Sequence, residues 1–576
     1  MAFLPSELIG GDLEWLLDFV VKDATLHFAR LPMEAEFGDD VIFYKGGLEF
    51  SEEVEDSINP FGSSPSSRSV DITLHASIVV DVVTEISRGY DLAAARGRLW
   101  LYERNTDTAV LFLDGVVRGV EFGGTEEPIT FTLEEAMADD AGLFPPARAV
   151  INDDSWPNHA EECAGARYPW VFGQPGYHYD TDSWANTHGY SYPVCQVDTT
   201  ASAQKVLVAG HHVEATHVIV ICDQTGLYNR TAVTNGVDGN LHPVATADLA
   251  AIAIGSGALG VPEDEDTFFC KFHVDGGGLM KPNGSMMSGA GDILRFMLGF
   301  STMRIDHGRV AAATLRLNQY RIDAAVVCPP EERFSPWSWI NDHLSPILPV
   351  SWRVSVGDTG GFYPVVWPFD TTSHDSVTSI VATAEPRFGD TPSLSESVVV
   401  PSAFRVGRAS FSRRDDVANH ISVSFMSDLR EGVYWGTSTL SAEPEELTSG
   451  RAGSNLYCHA SRTRYRDARN LPQTVPMELT SDVIWEPGTA NSILSWRSRK
   501  HALQAVTASY VVDAEKAGHL EPGDVLLLTD EELAFTEYLF VVEQITWRAD
   551  RFLSLDLRSL VDAARDMAGA EGEEHG

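Results

Sequence analysis

The sequence is short of cysteine, short of positive charge and lacks any long apolar run, and each shortage removes a class of protein. Its cysteines (Cys163, Cys195, Cys222, Cys270, Cys328, Cys458) lie far apart and never form C-x-x-C. Neither a zinc finger nor a redox dithiol is written in that spacing, and about one cysteine per hundred residues is no disulfide scaffold. They read as mostly buried thiols of a chain assembled in a reducing cytoplasm. Against 83 acidic residues there are only 41 Lys and Arg, a formal charge of −42. Stable binding to nucleic acid is therefore not expected, because phosphate-binding surfaces need cations. An acidic surface does suit a conduit past which a duplex slides without adhering, although solubility or a salty habitat gives the same number.

The segment after Met1 has no basic stretch of the kind that opens a secretion signal, and its apolar residues are interrupted by Asp12, Glu14 and Asp18. The most apolar run, Val244 to Val261, is Ala/Gly-rich and contains Asp248, so it is expected to be a buried helix or loop and not a permanent membrane anchor. Catalytic signatures are missing too: no G-x-S-x-G, no phosphate-binding G-x-x-x-x-G-K-[ST], no glycine fingerprint between strand and helix. Asp275-Gly-Gly-Gly278 reads as a flexible turn. No catalytic, cofactor-binding or metal-binding residue is assigned, and no cofactor is expected.

What is present is a globular composition, 44% hydrophobic and 22% charged, over 576 residues. That length predicts three to five compact units of roughly 100–150 residues each. The pattern is mainly β with α+β portions. Val70-Asp-Ile-Thr-Leu-His-Ala-Ser, Arg98-Leu-Trp-Leu-Tyr-Glu and Ile129-Thr-Phe-Thr-Leu-Glu alternate with period two, with turn signals at Asp114-Gly115 and Gly123-Gly124 and an exposed Ser/Pro/Gly loop over Asn59–Arg68. The expected division is an N-terminal β-barrel or sheet module (1–136), an inserted β-rich domain (137–266), a mixed α/β domain (267–400), a C-terminal β-barrel module (401–565) and a flexible acidic tail (566–576). Strands are expected at Lys205-Val-Leu-Val-Ala and Thr216-His-Val-Ile-Val-Ile-Cys, the latter followed by an Asp223-Gln-Thr-Gly226 turn. In the mixed portion, helical spacing covers Ala290–Ser301 and Val310–Tyr320. Ser335-Pro336 should open a helix over Trp337–Leu348, since serine caps and proline fits the first turn.

Candidate chemistry is sparse. His211, His212, Glu214 and His217 cluster in sequence, but beside a β run where neighbours face opposite ways, so structural or surface roles are expected. Asp180/Asp182 and Glu263–Asp266 offer oxygen ligands without an EF-hand pattern and read as solvated acidic loops. The best enzymatic alternative is a glycan hydrolase or binding module, given abundant carboxylates and 13 Trp with 16 Tyr. Trp100, Trp435 and Trp547, however, sit in β runs where core or interface packing is the ordinary role.

The C-terminal stretch Leu520-Glu-Pro-Gly-Asp-Val-Leu-Leu-Leu-Thr-Asp530, then Phe540-Val-Val-Glu-Gln-Ile-Thr-Trp547 and Leu553-Ser-Leu-Asp-Leu-Arg558, resembles the closing β domain of the tail hub proteins of long-tailed bacteriophages. There a PGD turn, here Pro522, Gly523 and Asp524, launches a strand. Tyr168-Pro169-Trp-Val-Phe172-Gly173 resembles a strand entry of the same family, as do Ala290–Leu298 with Ile305-Asp306, and Val417–Phe425, in the same order along the chain. The resemblance implies a homotrimer in which each subunit contributes two barrel-like tube modules, forming a ring that joins a six-fold tail tube to a three-fold tip. It also implies a place in the virion tail tip, DNA passing through without stable binding, and as partners a distal tail protein, other tail-tip or fibre proteins and the tape-measure protein. A distal tail protein is the nearest rival within the class, though such proteins are usually shorter.

Overall fold

The computed structural model describes the chain between residues 13 and 560, apart from 58–68, 76–81, 83–94, 177–191, 250–266, 368–377, 385–402, 442–451 and gaps of six residues or fewer. The Asn59–Arg68 loop, Gly123-Gly124, the 223–226 turn, both acidic loops and the 566–576 tail lie outside the described residues. The chain is mainly β and built from several sheets.

The N-terminal part contributes β1 (Leu13–Val21), β2 (Ala24–Ala29), β3 (Met33–Phe37), β4 (Asp40–Gly46), β5 (Leu48–Phe50), β6 (Glu53–Ser57), β7 (Ser69–Leu74), β8 (Arg96–Glu103), β9 (Thr108–Phe122) and β10 (Ile129–Glu135). Nine of them run in the order β6-β7-β10-β9-β8-β1-β2-β4-β3, an open half-barrel, and β5 pairs with β7 off this path. β10 shows why: Ile129, Phe131 and Leu133 alternate inward with half-buried threonines between them. β1 was hidden in the sequence by its acids. Asp18 is buried because three donors reach it, Tyr44 Oη (2.8 Å), Trp100 Nε1 (2.9 Å) and His27 Nδ1 (2.8 Å), so the strand sinks a carboxylate that the pattern read as an interruption.

The middle of the chain holds β11 (Arg167–Phe172), β12 (Tyr192–Val194), β13 (Gln196–Asp198), β14 (Lys205–Ala209), β15 (His217–Cys222), β16 (Tyr228–Val237), β17 (Pro243–Asp248) and β18 (Phe268–Phe272). All but β11 form a seven-stranded sheet, β12-β18-β15-β16-β17-β14-β13. β17 corrects the expectation of a helix or loop from Val244. Val244-Ala-Thr-Ala is a strand hydrogen-bonded on both edges, to β14 and β16, and small side chains suit that doubly covered position; residues 250–261 lie outside the described residues. Then come α1 (Ala290–Leu298), α2 (His307–Leu317), β19 (Ala324–Cys328), α3 (Pro336–Trp339), β20 (Val350–Val354) and β21 (Phe362–Val366). Ser335 caps α3 as expected, accepting from the Ser338 N–H, but the helix stops after one turn and runs on as a π turn over Ile340–Leu344.

The last part begins with β22 (Thr378–Ala384) and β23 (Ala403–Phe411), leaves for β24 (His420–Asp428), β25 (Val433–Leu440), α4 (Ala452–Arg464), β26 (Pro476–Thr480) and α5 (Pro487–His501), and returns with β27 (Val506–Asp513), β28 (Val525–Asp530), β29 (Phe535–Arg548) and β30 (Phe552–Ser559). The order β28-β22-β23-β27-β30-β29 closes through β28–β29 into a six-stranded barrel. Closure satisfies the edges that an open sheet leaves exposed. The excursion over β24–α5 packs elsewhere: Ile421, Val423, Trp485, Ile493 and Trp496 belong to the core shared by the middle sheets and helices.

β29 joins barrel to half-barrel. One edge of its first half pairs with β28 (Val525↔Val541), and the same edge further on pairs with β6 (Gln544↔Ser57 to Arg548↔Glu53). One apolar core underlies both units, with the Phe112 and Trp547 rings edge to face at 6.0 Å. Burying side chains of this size contributes about 1.5–3 kcal/mol each, so the two units are expected to unfold together.

Candidate functional site

The Pro522-Gly523-Asp524 motif forms the foot of the barrel. The Asp524 N–H donates to the Glu521 carbonyl (2.9 Å), closing a four-residue turn with Gly523 at φ +99°. A type II turn requires that left-handed position, which glycine alone takes without strain. The Asp524 carboxylate accepts from the Glu521 N–H (2.8 Å), and the turn is stitched to β29 by Gly523 N–H to Val542 O (2.7 Å) and Val542 N–H to Asp524 O (2.9 Å). Burial pushes the Asp524 carboxyl upward; the Glu521 N–H opposes it, the Glu521 charge adds to it, and Arg353 and Arg309 oppose it.

Glu521 makes this turn a latch. Its carboxylate takes both arms of the Arg309 guanidinium from α2, one at 2.7 Å, with Tyr363 Oη of β21 at 3.4 Å and Arg353 Nη1 of β20 at 3.6 Å. Arg353, 2% exposed, also donates to the Pro522 carbonyl (3.2 Å). Arg309 sits 4.6 Å over the Tyr363 ring and donates to its hydroxyl (2.6 Å). Burial alone would weaken the Arg309 charge, but its hydrogen bonds to Glu521 and the nearby Tyr363, Glu521 and Asp306 outweigh it and hold the guanidinium above its usual range. A bidentate arginine–carboxylate pair with a buried second arginine fixes orientation as well as energy. The barrel is thereby fastened to the middle of the molecule.

The Tyr168–Gly173 motif covers most of β11 and the residue that follows it, and it serves a different joint. Tyr168 is fully buried; its hydroxyl donates to Asp238 (2.5 Å) and accepts from Trp156 Nε1 (3.1 Å). Burial first, then Asp238, pushes the phenol well up. Burial works against the Asp238 charge, but donors from Tyr168, His242 and the backbone of His242 and Asn240 keep it below the usual range. The Pro169 carbonyl accepts the Gly210 N–H (2.7 Å), and Phe172 packs edge to face on Phe296 of α1 at 5.9 Å. Gly173 has φ +65°, and a Cβ there would run into the Asp323 carboxylate and the Ile322 carbonyl. Both motifs are thus built as joints, and nothing in the sequence distinguishes Glu521, Arg309, Arg353 or Tyr363 from ordinary charged and aromatic residues.

No family model and no curated protein matches the sequence. Solved structures are. The tail protein from Neisseria meningitidis MC58 is similar at TM-score 0.35 and 8% identity, covering 95% of this chain and 97% of that one. The 43 kDa tail protein of prophage MuSo2 from Shewanella oneidensis is similar at TM-score 0.32 and 9% identity, over 96% and 99%. A chain of the virion of a native gene transfer agent particle is similar at TM-score 0.35 and 10% identity, over 74% and 88%. The solved structures reported are tail and virion proteins.

The histidines do not converge. His211 is buried, its Nε2 accepting the Val171 N–H (3.0 Å) and its Nδ1 facing the His212 carbonyl (2.9 Å), so burial pushes it down to about 4. His212 meets the Gly236 carbonyl and His217 meets Arg230. Among the described residues no group of three or more His, Cys, Asp or Glu is placed to hold a metal ion. Gly277 and Gly278, the described part of the glycine run, lie against Met286 and the Val171 carbonyl, so close packing excludes a Cβ there. Of the three tryptophans, Trp547 is core, Trp100 binds Asp18, and Trp435 lies 45% exposed on β25 with Nε1 3.3 Å from Asp428.

Proposed function

We propose that the chain is a structural, non-enzymatic subunit of a virion, the hub at the tip of a long bacteriophage tail, assembled as a homotrimer. What carries the reading is the joint at β29. A closed barrel and an open half-barrel share one strand edge and one core, so each chain presents two β units side by side, and three chains around an axis present six. Closed cyclic symmetry is the usual solution for such a ring. Such a ring meets a six-fold tube on one face and a three-fold tip on the other. The sequence resemblance at Tyr168–Gly173, Ala290–Leu298, Val417–Phe425 and Leu520–Arg558 supports the same reading, as does a latch that holds the barrel rigidly to the rest of the chain.

In this role the chain assembles in the host cytoplasm and contacts a distal tail protein, other tail-tip or fibre proteins and the tape-measure protein. Three chains carry 3 × −42 = −126 formal charges, so the wall facing DNA is acidic or neutral and lets the duplex pass, since a basic wall would hold phosphates through counterion release. The test is native mass together with imaging of particles. A trimer at the tail tip is expected; a strictly monomeric protein absent from the particle refutes the assignment, and a channel lined with Lys and Arg refutes the electrostatic part.

A further inference from the structure

Cys163 and Cys195, 32 positions apart and in no sequence motif, meet in space. The 3-10 turn Glu161–Cys163 is laid along the β12–β13 segment by an Ala160 N–H to Gln196 O bond of 3.0 Å and by a bridge between Asn158 and Asp198. Within that clamp the Cys163 and Cys195 side chains come near enough to influence each other's ionisation. Both belong to one small apolar cluster with Ile151, Tyr168, Val197 and Leu207. Cys163 is buried; Cys195 is partly exposed. Two cysteines that a backbone clamp sets side by side in one cluster are placed to bond with little movement, whereas cysteines at arbitrary positions need large backbone rearrangement.

We propose that Cys163 and Cys195 form a reversible redox pair, free as thiols when the chain folds and closed to a disulfide by a peroxide-class oxidant outside the reducing cytoplasm. The Cys163 thiolate attacks one peroxide oxygen, the O–O bond breaks and hydroxide leaves, to be protonated to water. Cys163 is oxidised to a sulfenic acid. The Cys195 sulfur then attacks Cys163, the S–O bond breaks, and hydroxide departs with the Cys195 proton as a second water. Two thiols and one peroxide give one disulfide and two waters, the peroxide being reduced. The asymmetry of the pair fits these roles. The neighbouring Cys195 side chain, ahead of opposing burial, holds the Cys163 thiol below its usual range, while Cys163 and burial hold Cys195 above it, and the thiolate is the nucleophile. Cys270, by contrast, is fully buried and pushed up to about 12. Closure would tie β11, with its Tyr168–Gly173 motif, to the seven-stranded sheet by a covalent loop. The inference does not depend on the virion role; it needs only exposure to oxidant after folding.

The experiment treats the purified full chain with hydrogen peroxide, blocks residual thiols by alkylation, and reads intact mass and a non-reducing peptide map. Loss of two hydrogens with a Cys163–Cys195 cross-linked peptide is expected, reversed by dithiothreitol. An unfolding temperature higher by roughly 5–10 °C should accompany it. Cys195→Ser should halt the reaction at a Cys163 sulfenic acid that dimedone traps. Both thiols remaining alkylatable, a cross-link between other cysteines, or Cys163 over-oxidised while Cys195 stays reduced would each overturn the proposal; the wild-type map stands even where the variant fails to fold.

Discussion

Replacing Glu521 by Gln keeps the size of the side chain and removes the negative charge that Arg309 and Arg353 share. Glu521 is 14% exposed, Arg353 2% and Arg309 30% in their side chains. Taking one partner from a buried pair costs about 3–5 kcal/mol, because the remaining charge stays desolvated and unmatched. Here Arg309 keeps Asp306 at 3.4 Å and some contact with water, which lowers the expected cost to about 2–3 kcal/mol. Arg353 has no such outlet to water; its bond to the Pro522 carbonyl and the nearby Asp524 carboxylate remain. Calorimetry should therefore show the transition that includes the barrel falling by roughly 5–10 °C, and separating from that of the middle of the chain as the latch loosens. A double-mutant cycle with Arg309→Met should return a coupling above about 1 kcal/mol. A loss below about 0.5 kcal/mol at both 0.15 M and 1 M salt, flagged as surface-pair behaviour, refutes the idea that this cluster fastens the barrel.

Gly523→Val places a β-branched residue at φ +99° and should destabilise the barrel by about 1–3 kcal/mol; unchanged thermal unfolding counts against the type II turn. His211 is pushed down to about 4 by burial and is neutral when folded, whereas an unfolded histidine protonates near pH 6.5. The unfolded chain thus binds the extra proton, so stability is complete above about pH 6.5 and falls toward pH 4 by roughly 1.4 kcal/mol per unit. Urea titrations should show that slope reduced in His211→Gln, and an identical slope rules out His211 as its source. Incubation with polysaccharide or peptidoglycan should release no product, and turnover abolished by a single Asp or Glu substitution reverses the non-enzymatic assignment.

Strand periodicity made the β character legible, because alternation is a local property of one face meeting apolar neighbours. The alternating runs at Val70, Arg98 and Ile129, the helical spacing at Ala290 and Val310, the Ser335 cap and the positive φ at Gly523 all follow from residues within a few positions of one another. β1 was not legible, since Asp18 becomes a core residue only when Tyr44, Trp100 and His27 arrive from other strands. Nor was the doubly paired strand at Val244, where Ala245 and Ala247 carry no strand preference of their own.

By its sequence alone this protein was bound to be β-rich, acidic and without a recognisable catalytic motif, since composition and short-range pattern decide those properties. Only the tertiary structure decided that β29 lends one edge to both β28 and β6, that the chain leaves the barrel after β23 and returns at β27, and that Glu521 meets Arg309 and Arg353. The same is true of Cys163 and Cys195. Each of these is a meeting of residues tens to hundreds of positions apart, set by packing and pairing energies that no local pattern encodes.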